Sequence, residues 1–544
     1  MKYGKILLLT AVLFTFGFIL NGGDLYYRIS KSIEVFGEVY KQATLNYVDE
    51  INPEKFVAAG IKGMLKSLDP YTVFYDSEQR RDVDVLTRGK YGGIGASIGL
   101  RDGKVTIMEL MDGYSAQRQG IRIGDVIYSI DGVKMGRDNY ESLGVHLKGE
   151  PGTIVKLKII REGVRDTLNF ELVREEIEIK NLAFYKLLGE NKNIAYLKLT
   201  GFSRTAGDEI LSALREMSDS VEIRGIVLDL RGNPGGLLDA AIDVAEKFLP
   251  RKSLIVSVIG RDSINAKRYY AKENPIAGKT KLAVLINGLS ASASEIVTGA
   301  IQDHDRGVIV GEQSYGKGLV QTIIPLPYDN TMKITTARYY TPSGRCIQKL
   351  DYSKRVLEKP KRIAKRNYRT DNGRVVFSAG GITPDTTVTE EELPEIVEEL
   401  LANAYFFKFG TYYFNKNEKS NLLSAQDLDD EKLFDNFVAY LDERAFSFKS
   451  GESELVKHLL KSEMVQSNAE LSSETEKLLG MIEDAQKKEL IENKDLIVKL
   501  IKLELAGHIG GRKMRIEESI KDDKQLDVAL NILLNDSLYR KILQ

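Results

Sequence analysis

Two short motifs near the middle of the chain contain residues that could carry out nucleophilic chemistry. The first is the serine-rich turn Ser290-Ala-Ser-Ala-Ser-Glu295, which follows an apolar run and precedes a helical pattern. The second is a glycine-rich stretch, predicted to be a strand, in which Lys317 and Gln321 stand four residues apart. A serine hydroxyl becomes an effective nucleophile only when a neighbouring base takes its proton. The middle serine, Ser292, is therefore the candidate nucleophile, and Lys317 is the candidate base.

A lysine acts as a general base only in its neutral form, so burial or a nearby positive charge must lower its pKa. The apolar residues after Lys317 are compatible with such an amine, and the four histidines of the chain have no obvious triad context. In an extended strand, residues i and i+4 project to the same face, so Gln321 could orient the amine. Two alternatives stay open: Lys317 could face solvent, and the serine turn could be a helix N-cap at Ser294.

An acyl-transfer reaction also needs hydrogen-bond donors for the developing oxyanion. The segment Asp229-Leu-Arg-Gly-Asn-Pro-Gly-Gly236 ends an apolar strand pattern and opens a helix, where adjacent glycines can aim backbone N–H groups into a cleft. The N–H of Ala293, next to the candidate nucleophile, is the natural second donor. We therefore predict an oxyanion hole formed by Gly235 or Gly236 with Ala293. A turn that needs glycine only for its backbone is the alternative.

A glycine-rich β module at about residues 86–175 contains a second candidate site. Its loop Tyr91-Gly-Gly-Ile-Gly95 leads into a predicted edge strand. Such a loop can capture a terminal carboxylate in a nest of N–H groups while the strand pairs with an incoming peptide. No Lys-Ser or Lys-Thr pair follows at P-loop spacing, which argues against a phosphate site. The candidate peptide-binding residues are Gly93, Ile94 and Gly95, and an ordinary glycine turn is the alternative.

The patterns around these motifs predict the elements that position them. Strand patterns at 194–199, 225–230 and 281–286 alternate with helical patterns, which indicates a partly parallel α/β sheet. After about residue 386 the chain becomes a series of charged, amphipathic helical patterns. The predicted domains are an N-terminal signal peptide or membrane anchor (1–23), a helical segment (24–85), the β-rich module (86–176), the α/β core (177–385) and a helical domain (386–544).

Composition limits the class of protein. A chain of 544 residues is too long for one core, and its 43% hydrophobic and 28% charged residues are typical of a globular, multidomain protein. A formal net charge of −1 argues against nucleic acid as a partner. The single cysteine, Cys346, excludes an internal disulfide. We interpret it as a half-buried strand residue and not as a nucleophile, because no histidine lies near it in the sequence.

The N-terminus carries a targeting pattern. Lys2 and Lys5 precede the apolar run 6–20, as in the n-region and h-region of a signal peptide. The run is shorter than the roughly 20 residues of a membrane span. No clear cleavage site follows, so an uncleaved anchor stays open. We therefore predict an exported protein of the periplasm or cell envelope, with anchoring to the inner membrane as the open alternative.

Together, the motifs resemble those of the carboxyl-terminal processing proteases, also called tail-specific proteases. The resemblance covers about residues 30–385 of the chain. Within this range, the glycine-rich β module is similar to a PDZ domain. One departure is Tyr114-Ser-Ala116, where the family usually has a proline before the alanine; we expect little effect. The motifs stand in the family's order: Gly93–Gly95, Gly120–Gly132, Asp229–Gly236, Ser290–Glu295, Gly316–Gln321 and Tyr340–Arg345.

The resemblance implies roles for individual residues. In the family, the middle serine of the serine-rich motif is the nucleophile, the lysine of Gly-Lys-Gly is the general base, and the glutamine four residues later supports the lysine. These roles fall on Ser292, Lys317 and Gln321, and the oxyanion hole falls on the glycine pair with Ala293. The family's protease core resembles the crotonase-like fold of stacked β-α units. The chemistry needs no metal or other cofactor.

The resulting prediction is a multidomain α+β protein with a PDZ domain ahead of a crotonase-like protease core, flanked by an N-terminal helical segment and a C-terminal helical domain. We expect a secreted serine endopeptidase that cleaves proteins at or near exposed C-terminal tails through an acyl-enzyme. The helices after 386 lie outside the resemblance; they could form a homo-oligomer, cover the cleft or simply be solvated. Two other classes stay open: a non-catalytic PDZ scaffold that binds peptides and a crotonase-like acyl-CoA enzyme.

Overall fold

The computed structural model describes residues 2–77, 79, 89–262, 264, 266–353, 358–417, 428–444, 446 and 451–544, with the side chains of 2–23 outside this description. The chain forms two compact units. The smaller unit contains Met1–Arg80, Gln321–Thr335 and Tyr352–Pro360. The larger unit contains Arg81–Val320, Thr336–Asp351 and Lys361–Gln544. It therefore includes both the glycine-rich module and the serine turn.

The smaller unit begins with the helices α1 (Lys2–Asn46) and α2 (Pro53–Lys66), followed by β1 (Val73–Tyr75). Asn52 caps α2, since its side chain accepts a hydrogen bond of 2.8 Å from the Lys55 N–H. β1 pairs antiparallel with residues 331–333 of a later strand. The predicted helical segment (24–85) is therefore helical in its first part, up to residue 66, and β1 departs from the prediction. Residues 78 and 80–85 of that segment lie outside the described residues.

No helix among the described residues is both long enough and apolar enough to cross a lipid bilayer. The predicted signal peptide or anchor, residues 1–23, lies outside the residues whose side chains the structure describes. Its assignment stays a prediction.

The glycine-rich module of the larger unit is a small β domain. Its main sheet has the strand order β3-β4-β5-β7-β8, so β3 is an edge strand, as predicted. Alternate residues of β7 are buried, among them Val155, Leu157 and Ile159, which build the module's apolar core. The elements are β2 (Lys90–Gly93), β3 (Ala96–Arg101), β4 (Lys104–Leu110), α3 (Ser115–Arg118), β5 (Val126–Ile130), β6 (Val133–Lys134), α4 (Leu143–Leu147), β7 (Ile154–Ile160), β8 (Leu168–Val173) and β9 (Glu175–Glu178).

The α/β core follows, and its first part alternates strands and helices. Its elements are β10 (Leu182–Leu188), β11 (Ile194–Leu199), α5 (Ala206–Ser218), β12 (Gly225–Asp229), α6 (Leu238–Glu246), β13 (Leu254–Gly260), β14 (Lys267–Tyr270), β15 (Lys281–Ile286), α7 (Ala293–Asp303) and β16 (Val308–Gly311). The part of the chain that follows is mostly strand: β17 (Leu319–Pro325), β18 (Thr331–Tyr340), β19 (Leu350–Asp351), β20 (Lys361–Arg362), β21 (Asn367–Arg369), β22 (Val375–Phe377) and β23 (Thr386–Thr387). Of these residues, Gln321–Thr335 belong to the smaller unit.

Six strands form the central sheet in the order β10-β11-β12-β15-β16-β23. β10 is antiparallel to β11, and the other neighbours are parallel. The inner strands β11, β12, β15 and β16 are buried on both faces, which explains why they consist mostly of apolar residues. Leu197, Leu228 and Val284 face the helices α5, α6 and α7 on one side. The predicted partly parallel α/β sheet is confirmed.

The C-terminal region is helical. Its elements are α8 (Glu395–Ala402), α9 (Tyr405–Lys416), α10 (Asp430–Glu443), α11 (Gly451–Leu460), α12 (Glu463–Gln466), α13 (Ala469–Glu492), α14 (Lys494–Ser519), α15 (Lys524–Leu534) and α16 (Asp536–Leu543). Helices α8, α9, α10 and α14 share a core that includes Phe409, Phe437 and Ile501. The predicted C-terminal helical domain is therefore present.

The last two helices belong to the protease core as well. Leu526 and Ile532 of α15, with Leu543 of α16, pack against Tyr196 and Val227 on the second face of the central sheet. The predicted boundary at about 386 divides a protease core from a C-terminal helical domain, and these two helices of the C-terminal region cover the sheet of the core. Successive side chains of a strand point to opposite faces of the sheet, so strands made of apolar residues give the sheet two apolar faces. Helices α15 and α16 cover the second of these faces.

Candidate active site

The candidate nucleophile occupies a strained turn between β15 and α7. Ser292 is the N-cap of α7, with φ 56° and ψ −111°. A non-glycine residue at positive φ is costly and is found mainly where the surroundings enforce it. The helix N-terminus also supplies positive potential next to the hydroxyl. The alternative N-cap at Ser294 is wrong, because α7 begins at Ala293 and the Ser294 hydroxyl donates to the Asn233 carbonyl over 2.9 Å.

The two outer serines of the motif have structural roles. Ser290 and Ser294 are fully buried, whereas Ser292 is half-buried. The Ser290 hydroxyl donates to the carbonyl of Leu230 over 2.9 Å. The outer serines therefore fasten the turn to the loop that follows β12. Since β12 and β15 are parallel neighbours, both loops lie at the carboxyl edge of one sheet, where α/β proteins commonly place their sites.

Lys317 lies in a loop and not on a strand. β17 begins only at Leu319, so the predicted strand position of Lys317 is wrong. The N–H groups of Gly316 and Lys317 donate to the Glu295 carboxylate over 2.8 and 2.9 Å, and the Gly318 N–H donates to Gln348 Oε1 over 2.7 Å. Backbone groups that bond to side chains cannot join a strand ladder. Buried side chains therefore set the path of this loop.

Glu295 joins the nucleophile turn to the lysine loop. Its carboxylate is fully buried and also accepts from the Ser292 N–H over 2.8 Å and from the Ser314 hydroxyl over 2.6 Å. Burial raises the pKa of Glu295, although the hydrogen bonds from Ser314 and from the Lys317 and Gly316 N–H groups oppose this effect. No prediction from the sequence gave Glu295 a role. The Ser-x-x-Glu spacing of a capping box could have indicated it.

Tyr339 provides a second link. Its hydroxyl donates to the Ser292 carbonyl at 3.2 Å and also lies in hydrogen-bonding contact with the Lys317 carbonyl. The side chain is almost fully buried. The backbones of both candidate residues are therefore held on two sides. No sequence signal pointed to this tyrosine.

Gln321 belongs to the smaller unit. There its side-chain amide donates to Thr335 Oγ1 over 3.3 Å. Its proposed support of the lysine stays a prediction.

The candidate oxyanion donors lie beside the serine turn. A Cβ atom at Gly235, which has φ 99°, would lie 2.9 Å from the Ala293 nitrogen. The Gly235 N–H already donates to Asn233 Oδ1 over 2.9 Å. Within the described part of the chain, neither the Gly236 N–H nor the Ala293 N–H donates a hydrogen bond. Gly236 with Ala293 is therefore the better-placed pair.

Asn233 holds this arrangement together, a role that no sequence pattern indicated. It is fully buried, and its amide donates to the Leu199 carbonyl over 2.9 Å. Its backbone carbonyl accepts from the Ala291 N–H over 3.0 Å. One side chain and its backbone thus connect the glycine pair, the neighbouring strand and the serine turn.

Two of the three peptide-binding candidates, Gly93 and Ile94, line a small apolar pocket. The carbonyls of Ile94 and Gly95 accept hydrogen bonds from Ala116 and Met111 over 3.0 and 2.9 Å. Among the described residues, the N–H groups of Ile94 and Gly95 have no acceptor. A pocket of about 170 Å³ lies beside them. Its lining consists of Tyr91, Gly93, Ile94, Ala96, Ile98, Leu143, Gly144, Leu147 and Lys148.

The departure at Tyr114-Ser-Ala116 has a structural basis. The Ser115 N–H donates to Glu175 Oε2 over 2.9 Å, a bond that proline could not make. The Ser115 hydroxyl accepts from the Val173 N–H over 3.1 Å. The serine therefore ties α3 to the module's sheet.

The described residues contain no group of three or more histidine, cysteine, aspartate or glutamate side chains that could hold a metal ion. Cys346 is half-buried as predicted, but it lies outside any strand, in a segment between β18 and β19. Burial raises the pKa of its thiol, so the reactive thiolate is disfavoured.

Three family models match successive parts of the chain. The PDZ domain model matches residues 92–172, the peptidase family S41 model matches 193–353, and the model of a probable PDZ-protease C-terminal helical domain matches 396–533. The predicted order of a PDZ domain, a protease core and a C-terminal helical domain is therefore confirmed.

Individual proteins are also similar to this chain. The carboxy-terminal-processing protease of Bartonella bacilliformis is 38% identical over 321 residues, or 58% of this chain and 73% of that protein. The carboxy-terminal processing protease CtpB of Bacillus subtilis is 28% identical over 73% of this chain and 80% of its own length. A solved photosystem II D1 C-terminal processing protease has 26% identity, a TM-score of 0.36, and coverage of 66% and 93% of the two chains. Because the Bartonella protein matches at this identity over most of its length, the chain belongs to the family of the carboxy-terminal processing proteases.

Proposed function

We propose that this protease works through a Ser292–Lys317 dyad and a covalent acyl-enzyme. The observation that carries the proposal is the shared carboxylate of Glu295, which holds the backbone N–H groups of both residues. Two groups that must exchange a proton need a fixed separation, and a buried carboxylate with several donors supplies it. Gln321 is proposed to support the lysine amine.

The proposed reaction follows the general pattern of serine acyl transfer. The neutral amine of Lys317 takes the proton of the Ser292 hydroxyl while Oγ attacks the peptide carbonyl. The N–H groups of Gly236, or Gly235, and Ala293 stabilise the oxyanion that forms. The protonated amine then gives its proton to the leaving amine, and an acyl-enzyme remains. Water hydrolyses this ester with the amine again as base.

The substrates are proposed to be proteins or peptides with exposed C-terminal tails. The names of the relatives describe carboxy-terminal processing, and the PDZ domain offers two open N–H groups beside an apolar pocket. A chain-terminal carboxylate suits the N–H groups, and an apolar last side chain suits the pocket. Cleavage would occur at or near the tail that the PDZ domain holds.

Two single substitutions test the dyad. Ser292→Ala and Lys317→Ala are each expected to abolish cleavage of a reporter peptide with an apolar C-terminus while the protein remains folded. Lys349→Ala, at an exposed lysine near the same loop, serves as the matched control and should keep its activity. Because the base must be neutral, kcat/KM should rise with pH. Turnover by either dyad variant at the rate of the intact protein would refute the proposal.

We also propose export to the periplasm or cell envelope, with the N-terminal segment as signal or anchor. The support is the basic and apolar pattern of residues 1–20. Fractionation of the cells that make the protein, with sequencing of its N-terminus, would test the location. Recovery of the full chain from the cytoplasm would contradict it.

Self-association through the C-terminal helices is a separate proposal. Leu455, Met464 and Met481 on α11–α13 are 67%, 73% and 67% exposed, which is unusual for large apolar side chains close together in the sequence. Their replacement by serine should lower the mass in solution if these helices join copies of the chain. An unchanged mass would rule out this surface.

A further inference from the structure

We propose that Asp523 of the C-terminal helical domain is a positioning residue for the oxyanion loop and acts through Arg231. The inference rests on the proposed serine mechanism, and it assigns the C-terminal domain a part in catalysis as well as in stability. Neither residue contacts Ser292 or Lys317 in the described hydrogen-bond network. The link is a continuous set of hydrogen bonds that begins at α15 and ends at the glycine pair.

The first step of this link is a two-point ion pair. Both terminal nitrogens of Arg231 donate to Asp523, over 2.6 and 3.0 Å. Both side chains are only 12% exposed, so water screens the pair weakly. Asp523 is also the N-cap of α15, where its side chain accepts from the Leu526 N–H over 3.0 Å. Gln525 accepts a further bond from Arg231 over 3.1 Å.

The second step is the pairing of Arg231 with Asp229, the last residue of β12. Arg231 donates to Asp229 through its side chain over 2.7 and 3.1 Å and through its backbone N–H over 2.9 Å. Asp229 is fully buried. Burial alone would raise the pKa of Asp229, but Lys198 and Arg231 hold it below its usual value. The guanidinium therefore lies between two carboxyl groups, one from the sheet and one from α15.

The third step connects Arg231 to the serine turn. The Arg231 carbonyl accepts from the Lys198 amine over 3.0 Å, so the main chain is held on the side of the sheet. The next N–H, that of Gly232, donates to Asn287 Oδ1 over 3.0 Å. Asn233 follows and carries the bonds to the glycine pair and to the serine turn. A shift of Arg231 therefore moves the loop that contains the proposed donor.

The charges show why Asp523 matters. Two cations, Lys198 and Arg231, face two anions, Asp229 and Asp523, in this largely buried cluster. Loss of the Asp523 charge leaves an uncompensated cation and removes one of the two carboxylates that orient the guanidinium. Breaking one partner of a buried pair is costly, and the loop can relieve that cost by moving. Displacements of about 1 Å in an active site can lower rates about 100-fold.

The substitution Asp523→Asn isolates this effect. Asparagine caps a helix about as well as aspartate, so the start of α15 is preserved while the charge is lost. Asp522→Asn is the matched control, because Asp522 is the exposed neighbour and makes no described side-chain bond to Arg231. Asp523→Glu keeps the charge but displaces it by one methylene.

The experiment uses the full chain, a reporter peptide, and a peptide boronate that binds the nucleophile as a tetrahedral adduct. For Asp523→Asn we expect kcat to fall about tenfold or more, with KM changed less than twofold and boronate affinity lowered in proportion to kcat. Asp522→Asn should stay within twofold of the intact protein in both measurements. A purely structural role would lower the unfolding temperature without changing kcat at lower temperature.

Unchanged kcat and boronate affinity in folded Asp523→Asn would overturn the inference. A change in KM without a change in kcat would overturn it as well. If that variant does not fold, Asp523→Glu decides by the same criteria. The proposed mechanism fails separately: peptide cleavage by Ser292→Ala refutes the dyad, whereas an inactive Ser292→Ala with a fully active Asp523→Asn refutes only the role of Asp523.

Discussion

The backbone N–H groups of Ser292 and Lys317 donate to the same oxygen atom, Glu295 Oε2, over 2.8 and 2.9 Å. The two residues come from different loops, yet one buried carboxylate determines the distance between their main chains. In the proposed dyad, the two side chains would therefore start from a fixed separation of their main chains. Such preorganisation is where much of the catalytic power of enzymes arises.

The first prediction concerns that carboxylate. Glu295→Gln keeps the size of the side chain but replaces one accepting oxygen by an amide NH₂ group. At least one buried donor then loses its hydrogen-bond partner, which costs about 1–3 kcal/mol of free energy. We expect kcat/KM to fall at least about tenfold. Steady-state kinetics at a temperature where the variant is folded would measure this. Glu273→Gln, at an exposed glutamate, is the control. Equal activity of both variants would contradict the prediction.

The second prediction compares two glycines of the oxyanion loop. Gly232 and Gly235 both have positive φ, 71° and 99°, so alanine costs roughly 1–2 kcal/mol of strain at either position. A Cβ at Gly232 meets nothing within 4 Å, whereas one at Gly235 would lie 2.7 Å from the Ala291 carbonyl oxygen and 2.9 Å from Ser292 Cβ. Gly235→Ala should therefore lose about 100-fold in kcat.

Gly232→Ala should keep most of its activity and lose only stability. Thermal unfolding of both variants, followed by kinetics below both midpoints, separates the two effects. Similar kcat values for the two alanine variants would show that the position of Gly235 against the serine turn is unimportant.

The strands and the reactive motifs were predictable because their signals are local. The strands at 194–199 and 281–286 are runs of mostly apolar residues, and the structure has them at those positions. Ser292 and Lys317 stand out because a turn and a glycine-rich loop each present one chemically special residue. Local patterns of this kind depend on residues close together in the sequence.

The supports of the site were not predictable, because they depend on contacts between distant residues. Arg231 meets Asp523 almost 300 positions later in the sequence. Lys317 was expected on a strand because its neighbours favour one, but the buried carboxylate of Glu295 competes for the same N–H groups. Amphipathicity identified α15 as a helix without showing that its apolar side belongs to the central sheet.

The third prediction follows from that packing. A chain that ends after residue 519 lacks α15 and α16, so the apolar side chains of Tyr196, Val227 and Leu285 lose their cover. Burial of each large side chain is worth about 1.5–3 kcal/mol, and a domain's total stability is only about 5–15 kcal/mol. We expect the truncated protein to aggregate. Solubility and size-exclusion measurements test this, and a soluble monodisperse product with peptidase activity would contradict it.

The fourth prediction concerns the PDZ loop. Gly95 has φ 76°, and a Cβ there would lie 2.3 Å from the Cβ of Tyr114. Gly103 has nearly the same φ, 73°, but a Cβ there meets nothing within 4 Å. Gly95→Ala should therefore distort the N–H nest and weaken binding of an apolar C-terminal peptide about tenfold or more. Fluorescence anisotropy on a Ser292→Ala background measures binding without cleavage. Gly103→Ala is the control, and equal peptide affinities of Gly95→Ala and Gly103→Ala would show that the peptide tail does not bind at the Gly95 loop.

The last prediction is a pH dependence of stability that comes from His508. Burial lowers the pKa of His508 from its ordinary 6.5 to about 4. Its Nδ1 lies 2.9 Å from the Glu504 carbonyl and its Nε2 lies 3.1 Å from the Thr411 hydroxyl, so the neutral ring is well accommodated. Between pH 6.5 and 4 the unfolded chain binds a proton at this residue and the folded chain does not. Stability is therefore full above pH 6.5 and falls as the pH drops towards 4, by about 3 kcal/mol in total.

Urea unfolding midpoints between pH 4 and 7.5 would measure this loss, with signals from the C-terminal helices. His508→Gln removes the titrating group, so its midpoints should fall less steeply with acid than those of the intact protein. His458→Gln, at an exposed histidine of α11, should leave the slope unchanged. If His508→Gln and the intact protein lost stability in parallel over this range, the buried imidazole would not be the group that acid protonates on unfolding.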